Sequence, residues 1–376
     1  MSKLNNLIEK LCLGGVEYGE IGNSCIIKTG DSINKSYISQ NPGKYPVINS
    51  GQDPLGYINK FNVENDEIGI ASRGAGVGFV SWTEGKYFRG NLNYSVTIED
   101  ETLLDKRFLY HYLKDNKHKI DELATFHGIP ALNASNLKKL LIPLPPLPVQ
   151  KEIVRILDNF TELTAELTAE LTARRKQYEY YRDELLTFGD EVEWKPLGEV
   201  ANNLDSKRKP IAKGRRTFGK YPYYGASGIV DYVDDYIFDG TYLLISEDGA
   251  NLISRVTPIA FSAKGKIWVN NHAHVLEFDS RTSRKFVQHY INMINLGSYL
   301  STAAQPKLTQ RNLNRISIPI PPLAEQERIV SILDKFDTLT NDISIGLPAE
   351  IEARQKQYKY YREKLLTFKE LETKEA

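Results

Sequence analysis

Apolar positions recur every three or four residues along two long stretches of this chain, and the two stretches match. In the first, Ile153, Leu157, Phe160, Thr164, Leu167, Leu171, Arg174, Tyr178, Tyr181, Leu185 and Phe188 alternate between spacings of four and three. A 3.5-residue period is the seam of a coiled coil, with Thr164 and Arg174 as its polar interruptions. From Val149 to Phe188 such a helix is roughly 60 Å long and needs a partner to cover its stripe. Ile329, Leu333 and Phe336, followed by Tyr358, Tyr361, Leu365 and Phe368, supply a second stripe. The two are expected to pack antiparallel. Gly346 and Pro348 interrupt the second stretch, where the helix is expected to break or kink.

The match extends beyond the helices. Pro143 returns as Pro319, Gln150 as Gln326 and Asp158 as Asp334, each 176 positions later. Val16-Glu17-Tyr18 answers to Val192-Glu193-Trp194, and Gly43-Lys44-Tyr45-Pro46 to Gly219-Lys220-Tyr221-Pro222. Pro130 with Asn136-Leu137 answers to Pro306 with Asn312-Leu313. This period far exceeds the 20–50 residues of solenoid repeats. It describes a globule-plus-helix module used twice, with approximate two-fold symmetry, as a reader of two DNA half-sites requires.

The pattern divides the chain into a helical stub (1–13), a first globule (14–147), a spacer helix (148–189), a second globule (190–323) and a last helix (324–376). Strand-like runs fill the globules, among them Ile68–Ile70, Gly78–Trp82, Tyr94–Ile98, Tyr242–Ser246 and Ile267–Val269, bounded by Gly, Asn, Asp and Pro. Helices are expected over Asp105–Leu123, Asn136–Leu141, Ser283–Leu296 and Gln310–Arg315. The expected fold is α+β: two tandem globules separated by two long antiparallel helices, with internal pseudo-two-fold symmetry. Pro143–Pro148 and Pro319–Pro322 read as stiff extended junctions that fix how each globule meets its helix.

Composition narrows the class modestly. The 376 residues carry 48 basic and 48 acidic side chains, so electrostatics alone cannot hold this chain on DNA, and such a role needs local basic surface or a basic partner. No apolar run reaches the length of a membrane span, and the amphipathic N-terminus does not read as a signal peptide. Cys12 and Cys25 have no pairing or metal-ligand spacing, which fits free thiols in a reducing cytoplasm.

The search for catalytic chemistry returns absences. The chain holds neither a GxxxxGK[ST] phosphate loop nor an Asn-Pro-Pro-Tyr signature. No nuclease-like carboxylate–lysine cluster and no Ser/His/Asp or Cys/His arrangement stands out. Arg73–Gly78 is glycine-rich, but strand-like residues follow it where a phosphate loop needs a helix, so it reads as a turn. His272 and His274 share a strand face without a third ligand at metal spacing, and no metal site is expected.

The positive signal is cationic. Lys207, Arg208, Lys209, Lys213, Arg215, Arg216 and Lys220 crowd a loop that runs into Tyr221-Pro222-Tyr223-Tyr224, a composition suited to phosphate contacts beside a base-reading surface. In the first globule, Lys28, Lys35, Lys44 and Tyr45 lie in the matching segment. Asn49, Ser50, Gln52, Arg73, Arg89, Asn91 and Asn93 add groups able to bond base edges. The rival reading is a structural adaptor, whose antiparallel coiled coil organises two protein-binding globules.

The doubled [IL]P[LI]PPL..Q..IV.ILD.F segments, the paired QY.YYR..LLTF helix ends and Ala304–Thr309 ahead of Asn312-Leu313 resemble the DNA specificity subunit of type I restriction-modification enzymes. The tetrads in Thr164–Leu171 resemble the central spacer of one subgroup. The resemblance covers nearly the whole chain. It implies a non-catalytic subunit in which each globule reads half of a bipartite duplex DNA site. It further implies that the helices dock two adenine methyltransferase subunits, which motor-nuclease subunits join. S-adenosylmethionine, and ATP with Mg2+, are implied on those partners and no cofactor on this chain; the expected location is the cytoplasm. Gly128-Ile129-Pro130 departs from the family's Ala-Gln-Pro loop. Leu7–Val16 resembles Glu184–Val192, as though the chain began at the tail of the repeated helix.

Overall fold

The computed structural model describes residues 2–301, 305–342 and 344–371. The chain forms two compact units, one comprising Met1–Glu166 with Ile351–Ala376, the other Leu167–Glu350. The spacer helix, Leu147–Leu185, contributes its first half to one unit and its second half to the other. The last stretch is two helices, Leu323–Asn341 and Leu347–Leu365. The break falls at Gly346, where an added Cβ would lie 2.5 Å from the Thr338 carbonyl oxygen. Ala304 of the Ala-Gln-Pro motif lies outside the described residues.

In the first unit β1 (Tyr18–Glu20), β2 (Cys25–Thr29), β3 (Pro42–Ile48), β4 (Tyr57–Ile58), β5 (Val63–Glu64), β6 (Ile68–Ala71), β7 (Val80–Trp82), β8 (Lys86–Arg89) and β9 (Asn93–Ile98) are followed by β10 (Ala124–Thr125), β11 (Ala131–Leu132) and β12 (Leu141–Pro143). They make sheets β2-β9-β6-β7 and β4-β3-β8-β5, with short pairs β10-β11 and β1-β12. The second unit holds β13 (Glu193–Pro196), β14 (Asn202–Asn203), β15 (Phe218–Gly225), β16 (Gly228–Val233), β17 (Phe238–Ser246), β18 (Ala260–Val269), β19 (Ala273–Glu277) and β20 (Ser317–Ile320). Here one six-stranded sheet runs β14-β19-β17-β18-β15-β16, and β13 pairs with β20.

The difference between the units has a local cause. β17 and β18 are continuous, with Gly240 opposite Gly265. In the first unit Asn65 and Gly85 occupy the corresponding place; Gly85 and Gly265 both have positive φ, but Asn65 does as well where Gly240 does not, and here the hairpin is divided into β5/β8 and β6/β7.

Each unit closes its core on two helix ends. In the first, Val149, Ile153 and Leu157 of the spacer helix are fully buried with Leu365, Leu366, Phe108 and Leu140. Phe160 stacks on Tyr361 at 5.4 Å, while the Tyr18 hydroxyl, on the strand paired with Pro143, donates to the Phe368 carbonyl. The two helices are therefore antiparallel here. In the second unit Leu186, Ile329, Val330 and Leu333 share a core, Tyr181 stacks on Phe336 at 5.8 Å and Tyr178 lies 6.3 Å from the same ring. Tyr358 and Leu185 pack at the margins of these cores, and Leu167 and Leu171 are half-buried.

The proline junctions owe their rigidity to a buried glutamine in each copy. Gln150 Nε2 donates to the Pro145 and Leu103 carbonyls and its Oε1 accepts from the Asp105 amide; Gln326 Nε2 donates to the Pro321 carbonyl. A proline-rich turn cannot satisfy these carbonyls with its own N–H groups, so the side chain does it.

Candidate nucleic-acid interface

The basic loop of the second unit connects β14 to β15 through two short 3-10 turns, Asp205–Lys207 and Lys213–Arg215. Four side chains tie it from within. Arg208 donates to Glu247 at 2.5 Å and to the Ala273 carbonyl at 2.8 Å, and lies 3.3 Å from Asp205. Arg216 bonds Asp231 at 2.9 Å and the Ile211 carbonyl at 3.1 Å, and its guanidinium lies over the Tyr223 ring. The Tyr223 hydroxyl accepts from the Ile211 amide, and Trp268 Nε1 donates to the Lys209 carbonyl.

With the chain pinned at these points, the side chains of Lys207, Lys209, Lys213, Arg215 and Lys220 stand exposed, and Tyr224 is half-buried. Such a row offers charged donors to an extended anion. Arg208, Arg216 and Tyr223, proposed from sequence as contact residues, are instead the internal supports of that row. Their hydrogen-bonding groups are committed within the protein.

Beneath the loop lies a buried ionic cluster that the sequence did not disclose. Asp205 accepts from His274 Nδ1 at 2.6 Å and from the Val275 amide at 2.9 Å, and Lys307 pairs with Glu247 at 3.0 Å. Burial pushes the Asp205 carboxyl up, but the hydrogen bond and charge of His274, the Val275 amide and Arg208 together hold it below the ordinary aspartate value. Glu247 is likewise held low, with burial opposed by Arg208, His274 and Lys307.

Among the described residues, Asp205, Glu247 and His274 bring potential metal-ligand atoms within 4.8 Å of one another. They do not fit a cation. Arg208 and Lys307 already neutralise the carboxylates, and both His274 nitrogens are engaged, one with Asp205 and the other with the Leu308 carbonyl. His272 is separate and pairs with Asp248 at 2.8 Å. The three cluster residues come from distant parts of the chain, so no spacing signal marked them.

In the first unit Lys44, Arg73 and Asn91 are exposed, and Tyr45 and Ser50 are half-buried. Three other residues proposed for base contacts are buried. Arg89, 2% exposed, spends its guanidinium on the Ile68 and Asp66 carbonyls, the Asp66 carboxylate and the Tyr87 hydroxyl. Asn93 Nδ2 donates to the Asn49 carbonyl, and Asn49 Oδ1 accepts from the Leu92 amide. Arg89, Asn93 and Asn49 thus join strands. Burial and these internal bonds hold their polar groups inside the unit.

Two α+β modules, each locked to helix ends and each carrying exposed cations, make up the chain. Residues 14–174 and 189–353 each match the model of the type I restriction modification DNA specificity domain. The chain belongs to that family. It is 35% identical over 305 residues to the EcoR124I/EcoR124II specificity subunit of Escherichia coli, an alignment covering 73% of each chain. It is 44% identical over 192 residues to a putative type I restriction enzyme specificity subunit of Haemophilus influenzae. That alignment covers 50% of this chain and 49% of the relative, so it spans about half of that protein's length. Its fold matches the crystal structure of the type I restriction-modification S subunit from M. genitalium, with a TM-score of 0.66 at 22% identity, over 94% of this chain and 96% of that one. Among the described residues no helix is long and apolar enough to cross a membrane.

Proposed function

We propose that this chain is the sequence-recognition subunit of a type I restriction-modification complex, each unit reading one half of a bipartite duplex DNA site. The observation that carries the proposal is the doubled module itself: two globules of like architecture in one chain, each with exposed cations on segments matched in sequence. Phosphate contacts position such a module, and base edges specify its target.

The subunit performs no chemistry itself. Two adenine methyltransferase subunits dock on the helices, bringing S-adenosylmethionine, and motor-nuclease subunits bring ATP with Mg2+. The repeated Tyr-x-Tyr-Tyr-Arg helix ends support the docking. Tyr180 is 65% exposed and Tyr360 58%, each leaving a large ring uncovered at an equivalent position.

The test is a block exchange. Replacing residues 14–142 with the matching block of another family member, in cells that hold the partner subunits, changes one half of the methylated motif and leaves the other half unaltered. A motif changed in both halves, or methylation independent of this chain, refutes the reading.

A further inference from the structure

Both units carry the same four-residue assembly, built from strands and the turns between them that sequence alone does not bring together. In the first unit Tyr45 and Phe61 pair their rings at 5.1 Å with a 59° tilt; in the second Tyr221 and Tyr236 do so at 5.1 Å and 56°. Lys44 Nζ lies 5.3 Å from the Tyr45 ring centre and Lys220 Nζ 5.3 Å from that of Tyr221. On the other side Lys86 Nζ lies 4.6 Å from the Phe61 centre, and Lys266 Nζ 4.6 Å from that of Tyr236. All four lysines are exposed.

The backbone beneath repeats as well. β3 and β15 carry the same register shift, between Pro42 and Tyr45 and between Phe218 and Tyr221. The glycine of each Gly-Lys-Tyr-Pro segment passes so close to the opposite strand that a Cβ would lie 2.4 Å from the Asn59 backbone at Gly43 and 2.3 Å from the Asp234 backbone at Gly219. That crossing sets the bulge which places each lysine on its ring.

Resting on the DNA-recognition reading, we propose that these two lysine–aromatic assemblies are matched, sequence-blind anchors for the phosphate backbone of duplex DNA, one for each half-site. Two globules that read different bases still share one ligand feature, the phosphates, and a structure kept alike in both serves that shared feature. An ammonium held over a ring by its quadrupole keeps its outer donors for an anion and has less freedom to lose on binding one. The segments that join the ribbon strands differ instead, residues 49–56 in the first unit and Ala226-Ser227 in the second, as base-reading parts must. Acids near the anchors do not cover them. Glu64 pairs with Lys86 at 3.3 Å with both side chains about half exposed, and Asp239 stands across the strand pair from Lys266. A surface pair of that kind is weak enough for a phosphate to displace.

The experiment uses the complex with its methyltransferase subunits and two double variants, Lys44→Met with Lys86→Met, and Lys220→Met with Lys266→Met. Methionine keeps an apolar stem against the ring and removes the charge. Each double variant is expected to lower affinity for duplex DNA on the order of tenfold at about 0.1 M salt, equally for matched and mismatched sites. The log–log salt slope becomes shallower by about 0.9 for each phosphate no longer neutralised. The methylated motif stays the same, and Lys→Arg at the same positions restores both quantities. Unchanged affinity and slope in a complex that still methylates its bipartite site overturn the anchor proposal alone, as does a changed motif. A wild-type complex that methylates no bipartite site overturns the recognition reading and this proposal with it.

Discussion

The Nε2 of His289 donates to Oδ1 of Asp334 at 2.9 Å, and the Nε2 of His111 donates to Oδ1 of Asp158 at 2.8 Å. One partner of each pair sits on a globule helix, Lys106–Asp115 or Arg281–Met293; the other sits on a helix that follows a proline junction. A cation also joins each aspartate, Arg107 at 3.0 Å from Asp158 and Lys285 at 3.3 Å from Asp334. Together with Gln150 and Gln326, these clasps fix the angle at which a globule leaves its helix.

Asp158→Ala strips the buried His111 Nε2 of its acceptor, and an unpaired buried donor costs about 1–3 kcal/mol. Thermal denaturation of the Asp158→Ala chain should show the first unit melting earlier, with the second unit's transition unmoved. Equal loss in both transitions would mean that the clasp is not local.

Burial drives the His111 imidazole below its ordinary value near 6.5, against the pull of Asp158. Because the unfolded chain then holds the proton more tightly than the native one, this site's contribution is complete above about pH 6.5 and is lost as pH falls through the folded value. Asp334 is set lower on the scale: burial raises its carboxyl, and His289 and Lys285 outweigh burial and hold it below the ordinary aspartate value of 3.8. Its contribution is present above about pH 4 and lost below. Urea unfolding between about pH 7 and 5 should therefore weaken the first unit, and His111→Gln should flatten that slope; an unchanged slope in the variant would clear His111 of the effect.

Neighbouring arginines and lysines in the basic loop should behave differently. Lys207→Ala, Lys213→Ala and Arg215→Ala lower DNA affinity and shallow the salt dependence by about 0.9 per phosphate released, with the motif and melting temperature unaltered. Arg208→Ala uncovers Glu247 and Asp205, and breaking a buried ion pair costs about 3–5 kcal/mol, so it acts by destabilising the second unit. Calorimetry beside a gel-shift titration separates the classes. An Arg208→Ala chain with native stability and a shallower salt slope would return Arg208 to the contact surface.

Tyr180→Ala and Tyr360→Ala remove exposed rings that lie edge-on to Tyr181 and Tyr361 at 5.4 and 5.3 Å. Each should weaken association with one methyltransferase copy, with a loss on the order of 1–2 kcal/mol for a truncated aromatic anchor, and leave the isolated chain's melting curve in place. Analytical ultracentrifugation of the mixed subunits reads this directly. Full two-copy binding by the double variant would move the docking surface elsewhere.

Periodic features are legible in the amino-acid order itself. The spacing of Ile153, Leu157 and Phe160, the return of Gln150 as Gln326, and the break at Gly346 follow from the chain's own local geometry: a helix repeats every 3.6 residues, and a glycine shortly before a proline ends one. A module used twice announces itself as a repeat whatever its fold, and the doubled junction pointed to the family. What tertiary structure alone decided is which way each polar side chain faces and what it meets there. Arg208 and Lys209 are adjacent in sequence, yet one is an internal support and the other an exposed cation. Arg89 and Asn93 carry groups suited to base edges but spend them on neighbouring strands. The cluster of Asp205, Glu247 and His274, and the rings and lysines of the two anchors, come from segments far apart in the chain. Their meeting depends on strand register, where a shift of one residue turns every side chain to the opposite face, and composition carries no record of that choice.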